Sequence, residues 1–155
     1  TYYVLADTTP VLVHNCGSRV YSEIKEGRRG TAYAEVTPQT LADAKAKLIG
    51  SEPSGGKPHG FRGGAAGDSR GHLIGRQFGG DGDNPRNVIT QGRAQNNGPV
   101  SDAEKVIADH VTNTKNTVIM SVTPIYGSAK YRATHVVIEA VDDFGWSFYA
   151  KIDNF

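Results

Sequence analysis

Asp68-Ser-Arg-Gly-His72-Leu-Ile-Gly-Arg-Gln-Phe-Gly-Gly-Asp-Gly-Asp-Asn-Pro-Arg-Asn87-Val-Ile-Thr-Gln-Gly-Arg-Ala-Gln-Asn96-Asn97 is the stretch on which the reading of this chain turns. Gly71-His72-Leu73-Ile74 and Asn87-Val88-Ile89-Thr90 are two short strand candidates, joined through the turn-forming run Gly79-Gly80-Asp81-Gly82-Asp83. Beyond them Val100, Ala103, Ile107 and Val111 recur at helical spacing and make one apolar face. The order is strand, strand, helix, with the helix opened by Asn96-Asn97 and carrying Glu104. His72 stands 24 residues before Asn96, and Glu104 stands 8 after it. Eight residues are a little over two helical turns, which keeps Asn96 and Glu104 on roughly one face. An imidazole, a carboxamide oxygen and a carboxylate can thus converge on one point.

Those groups suit phosphodiester hydrolysis. A neutral imidazole, with an ordinary pKa of about 6.5, takes a proton from water at physiological pH. A hard divalent cation prefers oxygen and keeps several waters, so one Asn oxygen plus a substrate phosphate can hold it. Arg70, two residues before His72, is of the type that binds phosphate through two parallel hydrogen bonds. Glu104 has a second reading, because Ser101-Asp102-Ala103-Glu104 is also a capping-box pattern. In isolation, Asn96-Asn97-Gly98 would be read as a turn. Gly79-Gly80-Asp81-Gly82-Asp83 lacks the ligand spacing and closing Glu of a calcium loop and is read as a hairpin connection.

Outward from this stretch, the chain is mixed. Its 155 residues, 37% hydrophobic and 21% charged, are enough for one domain with a core. Many of the 19 glycines cluster between Gly50 and Gly80, which predicts a long irregular surface loop. Thr31–Val36 reads as a strand and Gln39–Ile49 as a helix stopped by Gly50. Thr117–Ile125, Thr134–Ala140 and Trp146–Ile152 read as strands, giving an α+β domain with a mostly antiparallel C-terminal half. His59 is read as a loop residue, His110 as helix surface and His135 as a strand residue. No run approaches the roughly 20 apolar residues that a bilayer span needs, so no membrane span is expected. The single Cys16 excludes an internal disulfide framework and a cysteine-built zinc site.

The formal net charge of +1 offers no global basic field. From Lys57 to Arg93, however, six cations (Lys57, Arg62, Arg70, Arg76, Arg86, Arg93) face three anions (Asp68, Asp81, Asp83). The patch is read either as a solvated loop or as a local site for an anionic substrate.

Arg70-Gly-His-Leu-Ile74, Phe78-Gly-Gly80, Asn87-Val-Ile-Thr-Gln91, Asn96 and Glu104 together resemble the DNA/RNA non-specific endonuclease family, over about 40 residues. The resemblance implies a ββα-metal finger packed on an antiparallel sheet. It implies His72 as general base, Asn96 as the protein ligand of Mg²⁺ (or Mn²⁺ in its place) and Glu104 acting on the ion through water. Asn97 is the alternative ligand if the helix starts one residue later. Arg70 would support the phosphate, with Arg62, Arg76 and Gln91 contacting substrate. The sequence departs from the family at one point: Ser69 stands where the family has Asp directly before Arg, and Asp68 lies one position earlier.

At the other end, Tyr2-Tyr3-Val4-Leu5 and Val11-Leu12-Val13 read as a hairpin, and with His14-Asn15-Cys16 they resemble the last two strands of a Hint (intein-like) domain of the kind that precedes bacterial polymorphic toxins. The chain then begins mid-architecture, with residues 1–16 a Hint remnant and 17–155 the nuclease. That context implies a secreted or contact-delivered antibacterial toxin acting in the target-cell cytoplasm, monomeric on its own and held by a cognate immunity protein. Two alternatives stand beside this reading: a metal-independent RNase that uses His72 with Arg70, and an inactive module that binds nucleic acid or protein.

Overall fold

The computed structural model describes residues 2–6, 9–13, 18–54, 56–128 and 130–155, with side chains from residue 18 onward. His14, Asn15 and Cys16 lie outside the described residues. Strands β1 (Tyr2–Ala6) and β2 (Thr9–Val13) pair antiparallel as the expected hairpin. A five-stranded antiparallel sheet follows, made of β3 (Arg19–Tyr21), β4 (Ala32–Val36), β7 (Val118–Ile125), β8 (His135–Asp142) and β9 (Ser147–Asp153), in the order β3-β4-β7-β8-β9. Between β4 and β7 the chain leaves the sheet. It forms α1 (Pro38–Lys45), a long glycine-rich loop, and a separate two-stranded hairpin of β5 (Asp68–His72) and β6 (Val88–Gly92). A helical stretch closes it: α2 (Arg93–Gln95), a π turn (Asn96–Val100) and α3 (Ser101–Thr114). This is the α+β architecture, finger on sheet, that the sequence implied.

The period-2 burial of β7 shows how the sheet meets the finger. Val118, Met120 and Val122 are buried while the residues between them are half-exposed. That face joins Ala32, Ala34, Val136, Ile138 and Ala140 and receives Ala103, Ile107 and Val111 of α3 in one core. The apolar helical face read from the sequence is therefore the face that docks the finger. Leu73, Ile74, Phe78 and Ile89 extend the same core into the hairpin and its loop.

At the far end of α3 the expectation for His110 is corrected. It is half-buried, stacks on Trp146 at 3.8 Å between ring centroids, and its Nε2 lies 2.8 Å from Asp142 Oδ2. Hydrogen bonds from Asn116 first, then from His110 and the backbone of Trp146 and Phe144, hold the Asp142 carboxyl well below the usual range. The sequence carried no spacing that linked these residues, since the pair joins α3 to the end of β8.

Element boundaries shift for local reasons. Thr37 caps α1, with the Thr40 hydroxyl completing the box and Pro38 in the first turn. The helix ends at Lys45, short of Ile49. Strand β5 begins three residues earlier than expected and ends at His72, because Leu73 and Ile74 turn inward to the core. The capping box at Ser101 is absent: Val100 before it is already helical, and the helix starts at Arg93.

A two-stranded hairpin leaves backbone groups unpaired along its outer edges and in the loop that joins its strands, and here side-chain amides take them. Asn87, fully buried, accepts from the Ile74 N–H at 2.8 Å and donates to the Ile74 and Asp81 carbonyls at 3.1 Å each. Asn154 accepts from the Gly92 N–H at 2.8 Å and donates to the carbonyls of Thr90 and Ala133. Asn87→Ala strands two buried backbone groups of Ile74 and a partly buried one of Asp81, and is expected to cost about 3 kcal/mol. Urea unfolding of the variant checks this, and a loss under about 1 kcal/mol would contradict the assignment.

Candidate active site

The site is built on the β5–β6 ladder. Its register runs without a bulge from Asp68↔Gly92 to His72↔Val88. Gly71 is required by close approach: a Cβ there would meet Gln91 Oε1 at 1.9 Å. Gln91 is 1% exposed and packed beneath Gly71, so it lies in the interior of the finger and away from any substrate. The regular ladder also settles the departure at position 69. The Asp68 side chain turns inward, where Arg132 Nη1 lies 2.6 Å and Arg62 Nη2 3.3 Å from Oδ1, and the Arg62 N–H donates to Oδ2. Burial works to raise that carboxyl, but the bonds from Arg62 and Arg132 win and hold it at about 2. No carboxylate reaches the site from this strand, and the Ser69 hydroxyl stands beside Asn96 instead.

His72 ends β5. Its Nε2 lies 2.7 Å from the carbonyl oxygen of Ser51. A carbonyl only accepts, so Nε2 carries the hydrogen and neutral His72 has its lone pair on Nδ1. Burial pushes the pKa of His72 down, opposed by the Ser51 bond and the nearby Glu52 and Asp81 charges. Ser51 is itself fixed: its N–H donates to Gly80 O, and its hydroxyl accepts from the Gly82 N–H at 2.8 Å. The glycine-rich loop thus serves to hold one carbonyl against one imidazole.

The facing wall is helical. Pro99 inside the helix has no N–H to give and clashes with the preceding turn, and the Asn96–Val100 turn widens to the π form around it. With about one extra residue taken up there, the eight residues from Asn96 to Glu104 make about two full turns, so both face one way. Asn96 Nδ2 donates to Ser69 Oγ at 3.4 Å and to Asn97 Oδ1 at 3.4 Å. Its donor side is used within the protein, and Oδ1 is the atom left to ligate. Glu104 Oε2 accepts from Gln77 Nε2 at 3.0 Å. The carboxylate lies so close over Gly75 that a Cβ there would be 2.2 Å from Oε1. Burial pushes Glu104 up to about 7, against the opposing Gln77 bond.

His72, Arg76, Asn96, Asn97 and Glu104 all line one open cleft of about 880 Å³. Arg76 is paired there with Glu52 at 3.2 Å. Arg70, half-buried on β5, and Arg62, bound to Asp68, do not line the cleft. The structure therefore gathers the predicted base, the predicted ligands and one of the three arginines. It adds Ser51, Ser69 and Gln77, none of which the sequence analysis gave a role, since each acts through a single contact from a distant segment or as a departure from the pattern. Among the described residues no group of three or more His, Cys, Asp or Glu side chains gathers to hold a metal. The donor set fits a hard cation with one carboxamide oxygen and a half-buried, singly bonded carboxylate in the same cleft.

A family model described as DNA/RNA non-specific endonuclease matches residues 14–143. The chain belongs to this family. Its fold is shared with solved nucleases. One is the Sda1 nuclease with bound zinc ion (TM-score 0.75, 21% identity, 96% of this chain and 77% of that one). Another is NucA from Streptococcus agalactiae with magnesium ion bound (0.68, 18%, 94% and 75%). A third is an extracellular endonuclease (0.65, 14%, 94% and 82%). No curated protein matches the chain. Membership makes the protein a nuclease of the hydrolase class with nucleic acid as its substrate, and no helix among the described residues is long and apolar enough to cross a membrane.

Gly75 has ordinary extended backbone (φ −63°, ψ 155°), so alanine fits its conformation and only the Glu104 carboxylate must move. Gly75→Ala is expected to keep the wild-type circular dichroism spectrum while losing about tenfold or more in Mn²⁺ affinity by calorimetry. Unchanged affinity would separate Glu104 from ion binding.

Proposed function

We propose that the protein hydrolyses nucleic-acid phosphodiester bonds with little sequence preference, in a Mg²⁺-dependent reaction in which His72 is the general base. The single observation that supports this most is the Ser51 carbonyl on His72 Nε2. It leaves Nδ1 as the acceptor, and the lowered pKa keeps that nitrogen unprotonated at neutral pH. His72 takes a proton from water, whose oxygen attacks phosphorus as the P–O bond to the leaving oxygen breaks. Asn96 Oδ1 is assigned as the protein ligand, with Asn97 Oδ1 beside it and Glu104 acting through water. A hard divalent cation bound there supplies positive charge against the charge that develops on the phosphoryl group and the leaving oxygen. Arg76 is assigned to a non-bridging phosphate oxygen, and Arg70 and Arg62, off the cleft, to flanking backbone.

We assign residues 1–16 to the end of a Hint-like segment and 17–155 to the nuclease, on the resemblance of the first 16 residues. That resemblance also supports a bacterial toxin, secreted or delivered by contact, active as a monomer in a target cell and neutralised by an immunity protein.

The test is cleavage of plasmid DNA and a structured RNA, each with Mg²⁺ or EDTA, by wild type, His72→Ala and Asn96→Ala. Loss of cutting with EDTA and in both variants, by about 100-fold or more, is expected. EDTA-resistant RNA cleavage that needs His72 but not Asn96 would replace this reading with a metal-independent RNase. No cleavage by wild type would leave a binding module.

A further inference from the structure

The cleft extends well past the reacting groups. It runs along the π turn and α3 from Asn96 to Thr112, 16 residues apart and roughly 24 Å at 1.5 Å per residue, with the end of α1 as its other wall. One phosphate does not fill that length. Leu41, Ala44 and Ala108 give this arm a neutral floor, and Lys45 and Lys47 stand on its rim.

Lys47 is in an unfavourable backbone conformation. Helix α1 ends in a double hydrogen bond, Leu48 N–H to Asp43 O at 2.9 Å and Lys47 N–H to Ala44 O at 3.1 Å. This closure needs a left-handed residue at the position Lys47 holds, and its φ is 59°. Glycine takes that position without cost, whereas a residue with a Cβ strains there. Strain held beside a site invites a functional reading. Lys115 supplies the contrast. It ends α3 with φ 63°, but its ammonium folds back onto the Thr112 carbonyl at 2.6 Å and caps its own helix. Among the described residues neither Lys45 nor Lys47 has an ion-pair or hydrogen-bond partner for its ammonium, and both are exposed on the cleft.

We propose that Lys47, with Lys45, forms a phosphate-binding subsite for the nucleic-acid strand that flanks the scissile phosphate. The inference rests on the nuclease reading and extends it, giving the substrate a direction: along the groove between α1 and α3. Two free ammonium groups beside a neutral floor complement a polyanionic backbone and read no base, which matches binding without sequence preference.

Lys47→Gly separates this role from a structural one, because glycine suits the backbone better than lysine. The melting temperature of the variant is expected to equal or exceed that of wild type. Its KM for plasmid DNA rises severalfold, and the slope of log KM against log [NaCl] becomes shallower by about one. Lys47→Arg, which keeps the charge, retains the wild-type KM and slope. Unchanged KM and slope in an active Lys47→Gly enzyme would overturn the subsite alone. A lower melting temperature would also overturn it, since the lysine would then be held for stability. A wild type that cuts no nucleic acid would remove the nuclease reading and this inference together.

Discussion

Two strands make a poor structural unit. Each has a bonded edge and an open one, and every open N–H or C=O that is buried needs a partner. In this protein that constraint governs the site, because β6 is buried along its whole length yet pairs with β5 alone. Asn154 supplies the missing partners towards its C-terminal end, accepting from the Gly92 N–H and donating to the Thr90 carbonyl. Asn87 fixes the loop after His72, and that loop gives Ser51 its backbone and hydroxyl contacts. The position of the His72 imidazole thus depends on an amide that is fully buried.

From this scaffold the chemistry follows by subtraction. The ladder ends at His72 and leaves the ring one contact, a carbonyl, which decides which nitrogen is basic. The helix enters directly from β6 and is widened at Pro99, which brings Asn96 and Glu104 onto one face. Ser69 takes the donor side of Asn96, Gln77 takes one oxygen of Glu104, and what remains in the cleft is a set of acceptors suited to a hard cation.

Much of this was legible in the sequence. The strand-strand-helix order, the apolar face of α3 and the gathering of His72, Asn96 and Glu104 came from a compact run of residues in which spacing and chemistry agree. Four kinds of feature escaped it. Asp68 sits one residue from the family position and only the register decides its direction; a regular ladder sends it to Arg62 and Arg132. Gln91 falls where a substrate contact was expected, but the gap left by Gly71 draws it inward. The capping reading of Glu104 failed because Asn96-Asn97-Gly98-Pro99, a turn in isolation, continues the helix once β6 feeds into it. Ser51 and Asn154 were invisible for a simpler reason, since each acts through a contact far away in sequence.

A single backbone carbonyl leaves Nδ1 as the basic nitrogen of neutral His72. Imidazole ¹⁵N NMR across a pH titration measures this directly, with the His72 signals assigned by their absence in His72→Ala. A protonated Nε2 and a bare Nδ1 are expected at pH 7. The ring should titrate below the ordinary 6.5, so that protonation removes the base only as pH falls through that lowered value. A hydrogen on Nδ1 in the neutral ring, or titration above 6.5, would contradict this assignment.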